Sequence, residues 1–357
     1  MEGLVAEHWQ GKKVLVTGHT GFKGSWLCMI LSQLGAEICG VSLEANSDQD
    51  IFHSANVQSA LASHHIVDIR DRDGLDVVFA DFQPEVVIHM AAQALVRYSY
   101  ENPLETYEVN VIGTLNVLDM CRKYGSNLSA ILVITTDKCY ENKEQIWAYR
   151  ETDAMGGYDP YSSSKGCCEL LVASYRSSYF SSADSANLAS ARAGNVIGGG
   201  DWSLDRLVPD VIRAKIANEK VVIRNPASVR PWQHVLEPLA GYLLLCQKML
   251  SGDTSVDQGW NFGPEESDVR SVGYIISKIN ELWDNDDDFV VLEKSELHEA
   301  NLLKLDSTKA KTLLNWQPQL SIDECLDNVV AWYKAQCENQ DLHAVTMKQI
   351  SNYFGLA

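Results

Sequence analysis

The sequence predicts an α/β fold: a doubly wound parallel sheet followed by a smaller C-terminal lobe. Three observations carry that expectation. Short Val- and Ile-rich runs alternate with amphipathic helical segments through the first half of the 357 residues. A glycine-spaced turn, Gly18-His19-Thr20-Gly21-Phe22-Lys23-Gly24, joins the first such run to the first helical segment. The run Ala130-Ile-Leu-Val-Ile-Thr135 is apolar almost throughout, as a parallel strand covered on both faces requires.

Taken in order, Lys13–Thr17 reads as the first strand. After the glycine turn, Trp26, Leu27, Ile30, Leu31 and Leu34 recur at helical spacing until Gly35 stops them. Ile38–Leu43 and His65–Ile69 are the second and third strands, and Asp73–Phe82 is a helix. Val86–Met90 is the fourth strand and runs into Ala91-Ala92-Gln93. Tyr107–Tyr124 has the apolar stripe of one long helix, from Val109 through Ile112, Leu115, Val117 and Leu118 to Cys121. Turn residues dominate Asp137–Pro160, a helix spans Tyr161–Phe180, and Leu188–Arg192 is a sixth strand.

Beyond Asn195-Val-Ile-Gly-Gly-Gly200-Asp-Trp202 the pattern becomes mixed. Helices are expected over 207–218, 235–250, 271–283 and 321–337, with a further one started by Leu305-Asp-Ser-Thr-Lys309. Strands are expected at Val221–Arg224 and Gly259–Phe262, and Asp284–Asp288 reads as a solvated acidic loop. The expected division is residues 1–190 for the sheet domain and 191–357 for the lobe, interleaved with the last strands.

With 29 basic and 48 acidic residues the net charge is −19, which argues against a partner held by a general positive field, such as nucleic acid. The nine cysteines include no C-x-x-C pair and read as reduced thiols, and no metal site is expected. The first residues lack a basic segment followed by an apolar one, and no apolar run approaches the ~20 residues of a membrane span. A soluble, cytoplasmic protein is expected.

Strand, glycine-rich turn, helix, strand is the opening unit of a Rossmann-type dinucleotide-binding fold, with the pyrophosphate expected at the helix N-terminus. Here the spacing is G-x-x-G-x-x-G. In such sheets ligands bind outside the carboxyl ends of the strands. The glycine turn follows the first strand, Ala91-Ala92-Gln93 the fourth, and Thr135-Thr136-Asp137-Lys138 the fifth, so all three face one crevice. Tyr161 and Lys165 begin the next helix at that edge. Four residues apart, they meet on one helix face, where an ammonium can ease loss of the phenol proton.

Together these motifs resemble the extended short-chain dehydrogenase/reductase family over nearly the whole chain. The carriers are Val16–Trp26, His89–Gln93, Asn110-Val-Ile-Gly-Thr114, Asp159–Lys165 and Asn261-Phe-Gly-Pro264. More narrowly, the His19–Gly24 turn, Thr135–Asn142, Arg192–Trp202 and Arg230-Pro-Trp-Gln-His-Val235 resemble the family's branch of 4,6-dehydratases acting on CDP-glucose. That resemblance implies NAD bound by Gly18, Thr20, Gly21, Phe22, Gly24, Asp68, Ile69, Ala91, Ala92, Gln93, Tyr161 and Lys165. The acid usual at the end of the second strand is replaced by Ser42, with Glu44 two residues on and no arginine following, which favours NAD over NADP.

The implied reaction oxidises C4 of the sugar, eliminates water across C5 and C6, and reduces C6. Tyr161 is then the base for the C4 hydroxyl, with Lys165 lowering its pKa and holding the nicotinamide ribose. Thr136 hydrogen-bonds the C4 oxygen, and Asp137 is the acid at the C6 hydroxyl. Lys138 is the base at C5, with Lys165 as a possible source of the cation that neutralises it; a salt bridge or a phosphate contact is the alternative role. Arg230, Asn195 and Arg206 are expected at the sugar diphosphate and Gln93 near the sugar. The resemblance further implies a homodimer through a four-helix interface of helices 107–124 and 161–180, and 3,6-dideoxyhexose synthesis for surface polysaccharide such as the lipopolysaccharide O-antigen. A 4-epimerase, another nucleotide-sugar dehydratase and a non-catalytic dinucleotide-binding regulator are the rival readings.

Overall fold

Alternating side chains divide the protein into two cores, one on each side of a sheet. In the computed structural model, which describes residues 6–223, 225–283, 290–291 and 302–356, Val14 and Val16 enter one core and Leu15 the other. Ala130, Leu132 and Ile134 likewise join the first core, and Ile131 and Val133 the second. A period of two with both sets apolar is what a sheet sandwiched by helices needs.

The sheet comprises β1 (Lys13–Thr17), β2 (Glu37–Ser42), β3 (Ser63–Ile66), β4 (Val86–His89), β5 (Ala130–Ile134), β6 (Asn187–Ala193) and β7 (Gly259–Phe262). Its order is β7-β6-β5-β4-β1-β2-β3, and every pair is parallel. The order reverses between β1 and β4, where Thr17 pairs with His89. The expected doubly wound sheet is therefore present, with its switch point at the glycine turn.

The helices that cover it are α1 (Phe22–Gln33), α2 (Arg72–Phe82), α3 (Thr114–Lys123), α4 (Pro160–Tyr179), α5 (Leu207–Ala217), α6 (Leu236–Leu250), α7 (Val272–Leu282), α8 (Ile322–Cys337) and α9 (Leu342–Phe354). Residues of α1, α6 and α8 fill the first core together with Trp260 and Trp316, whereas residues of α2, α3 and α4 fill the second. The 190/191 division drawn from the sequence falls inside β6, and β7 returns to pair with that strand, Gly259 opposite Ser190.

Four expectations change. The third strand ends at Ile66 instead of Ile69, because β2 stops at Ser42 and leaves the chain beyond Val67 nothing to pair with. The helix expected over 107–124 begins earlier, at Pro103–Tyr107, and passes through a π-helical turn at Glu108–Gly113 before α3. The expected strand at 221–224 is reduced to Val222–Ile223, paired with Val290–Val291. Arg224 and the acidic loop Asp284–Asp288 lie outside the described residues. Finally, the chain carries a last helix that periodicity did not single out: α9, capped by Asp341 and ended by Gly355 at φ 65°.

Candidate active site

The carboxyl end of β5 turns immediately into one turn of 3₁₀ helix, Asp137–Cys139, capped by Thr136. The Thr136 hydroxyl donates to Asp137 Oδ1 at 2.9 Å, while Asp137 Oδ2 is buried without a hydrogen-bond partner among the described residues. Burial pushes this carboxyl above its usual range, against the pull of Lys138, Thr136 and Arg230. Lys138 faces the cleft and, among the described residues, forms no salt bridge. Desolvation pushes its ammonium below the usual lysine range; Asp137 and Asp159 oppose that push, and Arg230 and Arg206 add to it. The cations acting on Lys138 are thus two arginines, not the Lys165 expected from the sequence.

Helix α4 brings up the other half. Asp159 caps it, accepting from Ser162 N at 2.9 Å and Ser162 Oγ at 2.6 Å, and Pro160 occupies its first turn. Tyr161 and Lys165 follow on one face, 8% and 5% exposed. The Lys165 ammonium donates to the carbonyl of Ile134 at 3.4 Å, on the last residue of β5. Desolvation pushes Tyr161 up to about 12, and the groups pulling it down are Thr136 and Arg206. The Lys165 ammonium points toward the end of β5.

The glycine turn fits a dinucleotide. Gly18 has φ +77°, and a Cβ on Gly24 would lie 2.1 Å from the Gly18 carbonyl oxygen. With Gly21 at the N-cap, no side chain caps the first N–H groups of α1. Thr20 is bound to Ser42 Oγ at 2.8 Å and to the Leu43 carbonyl at 2.9 Å, so the serine that replaces the usual acid helps hold the turn. Across the turn, a Cβ on Gly18 would meet Ala91 N at 2.7 Å, which sets the Ala91-Ala92 loop against it. Phe22 packs beside Gly198, Ile69 is buried under Gly113, and the Asp68 carboxylate is bonded by Arg70, 2.6 Å from its Nη2.

A cavity of about 440 Å³ runs from this turn past Asp137, Lys138, Tyr161 and Lys165 to Asn195, Arg206 and Arg230. That size suits a small-molecule ligand. Arg206 is held by Asp201 at 3.1 Å, and Arg230 donates to the Val229 carbonyl at 2.9 Å. Gln93 is not brought into the cleft. Its amide donates to Leu95 O and Thr106 Oγ1 and its carbonyl accepts from Leu95 N, so the side chain is spent inside its own loop.

Two residues inside motifs quoted from the sequence carry contacts that the motifs do not assign. Lys23, inside the glycine turn motif, reaches the cleft with its ammonium 5.9 Å from the Tyr242 ring centroid. Burial, Arg206 and Lys165 push it down to about 7. A lysine among turn glycines was the available signal. Asn110, in the π turn, binds Gln93 N and O and Ser164 Oγ, and so ties the β4 loop to the helix of Tyr161. π turns often mark functional sites, but no local pattern betrays them.

Residues 15–329 match the family model described as GDP-mannose 4,6 dehydratase. The chain is 47% identical to the CDP-glucose 4,6-dehydratase of Salmonella typhimurium, over 97% of each chain. Among solved structures it is similar to the dTDP-glucose 4,6-dehydratase from Bacillus anthracis in complex with NAD, at TM-score 0.77 and 20% identity, covering 92% of this chain and 99% of that one. It is also similar to the UDP-glucose 4-epimerase from Thermotoga maritima with UDP-glucose, at TM-score 0.78 and 23% identity over 91% and 99% of the two chains. At these identities the two structures speak for the fold.

Proposed function

The chain belongs to the GDP-mannose 4,6-dehydratase family, and from that premise we propose that it is a CDP-glucose 4,6-dehydratase producing CDP-4-keto-6-deoxyglucose and water. The observation that carries the dehydration is Asp137: a buried carboxyl with an unpartnered oxygen and a raised pKa, beside Thr136 and in the same cleft as Tyr161. An epimerase has no elimination step to require such an acid. The choice of CDP rests on the likeness to the Salmonella enzyme.

NAD bound at the glycine turn would supply the redox chemistry, taking a hydride from C4 and returning it at C6. Gly18, Thr20, Gly21, Phe22 and Gly24 would hold its diphosphate, Asp68 and Ile69 its adenosine, and Ala91, Ala92, Tyr161 and Lys165 the nicotinamide end. Tyr161 takes the proton of the C4 hydroxyl, whose oxygen Thr136 bonds. A ketone at C4 acidifies the C5 hydrogen; Lys138, pushed toward its neutral form, removes that proton, Asp137 protonates the departing C6 hydroxyl, and Lys138 gives its proton back to C5 as the hydride returns to C6. Each positioned proton transfer is typically worth about 100- to 10,000-fold. Arg230, Arg206 and Asn195 bind the sugar diphosphate, a guanidinium fork matching phosphate oxygens.

Exposed apolar side chains on the outer helices, Leu104, Ile112 and Leu170, at 71%, 48% and 62%, support a homodimer through this helix pair. Among the described residues no helix is long and apolar enough to cross a membrane. Cysteines that are free and mostly buried support a cytoplasmic protein, and the resemblance to the dehydratases of CDP-glucose supports a role in making 3,6-dideoxyhexoses for surface polysaccharide.

Incubation with CDP-, dTDP-, UDP- and GDP-glucose, followed by the alkaline absorbance of a 4-keto sugar, tests the reading. A signal with CDP-glucose alone is expected. Equal turnover of dTDP-glucose overturns the base assignment, and a C4 epimer without a keto product overturns the dehydration.

A further inference from the structure

Behind the cleft lies a charged pair that the mechanism does not use. Glu169, on α4, and Arg192, on β6, are each 5% exposed and meet through two hydrogen bonds, Arg192 Nε to Oε1 at 2.9 Å and Nη2 to Oε2 at 2.7 Å. Neither residue lines the cavity. What they touch is informative. Glu169 accepts from the hydroxyl of Thr135, the residue just before Thr136, and from Ser190 Oγ at 2.7 Å. Arg192 Nη1 donates to the hydroxyl of Tyr140, two residues beyond Lys138, at 2.6 Å, and its guanidinium lies over the Tyr140 ring at 5.2 Å. Both ends of the Thr136-Asp137-Lys138 turn are therefore fastened to the same ion pair. Glu169 is also one helical turn past Lys165, on the helix that carries Tyr161.

We infer that Glu169 and Arg192 form a positioning couple, which sets the turn at the end of β5 in register with the Tyr161–Lys165 face of α4. Two ions taken out of water gain little net stability from pairing, and apolar residues of similar volume commonly serve as well. Geometry is what a bidentate pair contributes, since a guanidinium fork fixes distance and plane together. The surroundings are shaped to it: a Cβ on Gly259 would come within 2.3 Å of Arg192 Nη2. Tyr140 in turn donates to Asn261 Oδ1 at 2.7 Å, so the couple also reaches β7. Reacting groups displaced by about 1 Å lose on the order of 100-fold in rate.

This inference rests on the proposed dehydratase reading, and the experiment keeps the two apart. The double variant Glu169→Met/Arg192→Met removes both charges at similar length, and Arg192→Lys keeps the charge but loses the fork. Expected with CDP-glucose is a fall in kcat of about 100-fold for the double variant and roughly tenfold for Arg192→Lys, with KM within about threefold. Solvent-deuterium wash-in at C5 should fall together with product formation, and the pH–rate limbs of both variants should move. Unchanged kcat and pH profile with only a lower melting temperature overturn the inference. If the wild type makes no 4-keto sugar, the function proposal fails, and the couple is judged on crystal structures of wild type and Arg192→Lys. A displacement of the Thr136–Lys138 turn against Tyr161 by more than about 0.5 Å is then the expected result, and none overturns it.

Discussion

Thr136 donates its hydroxyl hydrogen to Oδ1 of the neighbouring Asp137 at 2.9 Å, and the other carboxyl oxygen is buried without a partner among the described residues. One bond thus orients the acid while its free oxygen stays available for a ligand hydroxyl. An aspartate whose two oxygens were both satisfied would be ionised and occupied. Here burial raises its pKa, and the protonated form is the one an elimination needs.

Replacing this acid should separate the steps. In Asp137→Asn, product formation is expected to fall about 100- to 10,000-fold while C5 still exchanges with solvent deuterium, because oxidation at C4 does not need the carboxyl. Mass analysis of recovered CDP-glucose checks it. Because the acid acts protonated, wild-type activity should fall as pH rises through the raised Asp137 pKa, and that limb should be lost in Asp137→Asn. A variant that also stops C5 exchange would place Asp137 earlier in the reaction.

For Lys138→Met the opposite pattern is expected. Deuterium wash-in at C5 should drop by about 100-fold or more if a neutral lysine removes that proton. Unimpaired wash-in with a raised KM would make Lys138 a phosphate contact instead.

Glu237, on α6 and bonded to Tyr353 of the C-terminal helix, makes stability depend on pH. Glu237, 1% exposed, accepts from Tyr353 OH at 2.6 Å and from Gln319 N and Leu320 N, and burial raises its pKa from 4.5 to about 7. The folded state therefore holds a proton that the unfolded chain releases between these values. Its stabilisation is fully present below about 4.5 and is lost as pH rises through about 7, for a total of about 3 kcal/mol. Thermal melts of wild type and Glu237→Gln across pH 5–8 should diverge, the variant lacking this part of the decline.

Association through the outer helices predicts a species of twice the 39.7 kDa chain mass in sedimentation. A charge placed on that face, as Leu170→Glu, should shift the population toward the monomer with the fold retained by circular dichroism. An unchanged sedimentation coefficient would move the interface elsewhere.

Much of this site was legible in the chain because its signals are local. The i, i+4 spacing of Tyr161 and Lys165, the glycines after Thr17 and the polar run after Ile134 each announce themselves within a few residues. Gln93 was misplaced for the opposite reason. Its position after β4 was readable, but its bonds to Thr106 and Leu95 depend on how the loop folds back. The third strand, Ser63–Ile66, lies earlier than the expected His65–Ile69 because its bounds are set by pairing with Cys39–Ser42 and not by its own apolar residues.

By itself the sequence determined the order of strands and helices along the chain and the side of the sheet where the chemistry collects. Hydrophobic period and turn chemistry are properties of neighbouring residues, so one chain suffices to read them. Only the tertiary structure decided the environment of these groups: that burial pushes Tyr161 up to about 12, that Arg230 and Arg206 act on Lys138, and that Glu169 meets Arg192 beneath the turn. Those outcomes depend on desolvation and on charges dozens of residues apart, which share an environment only after the sheet has closed.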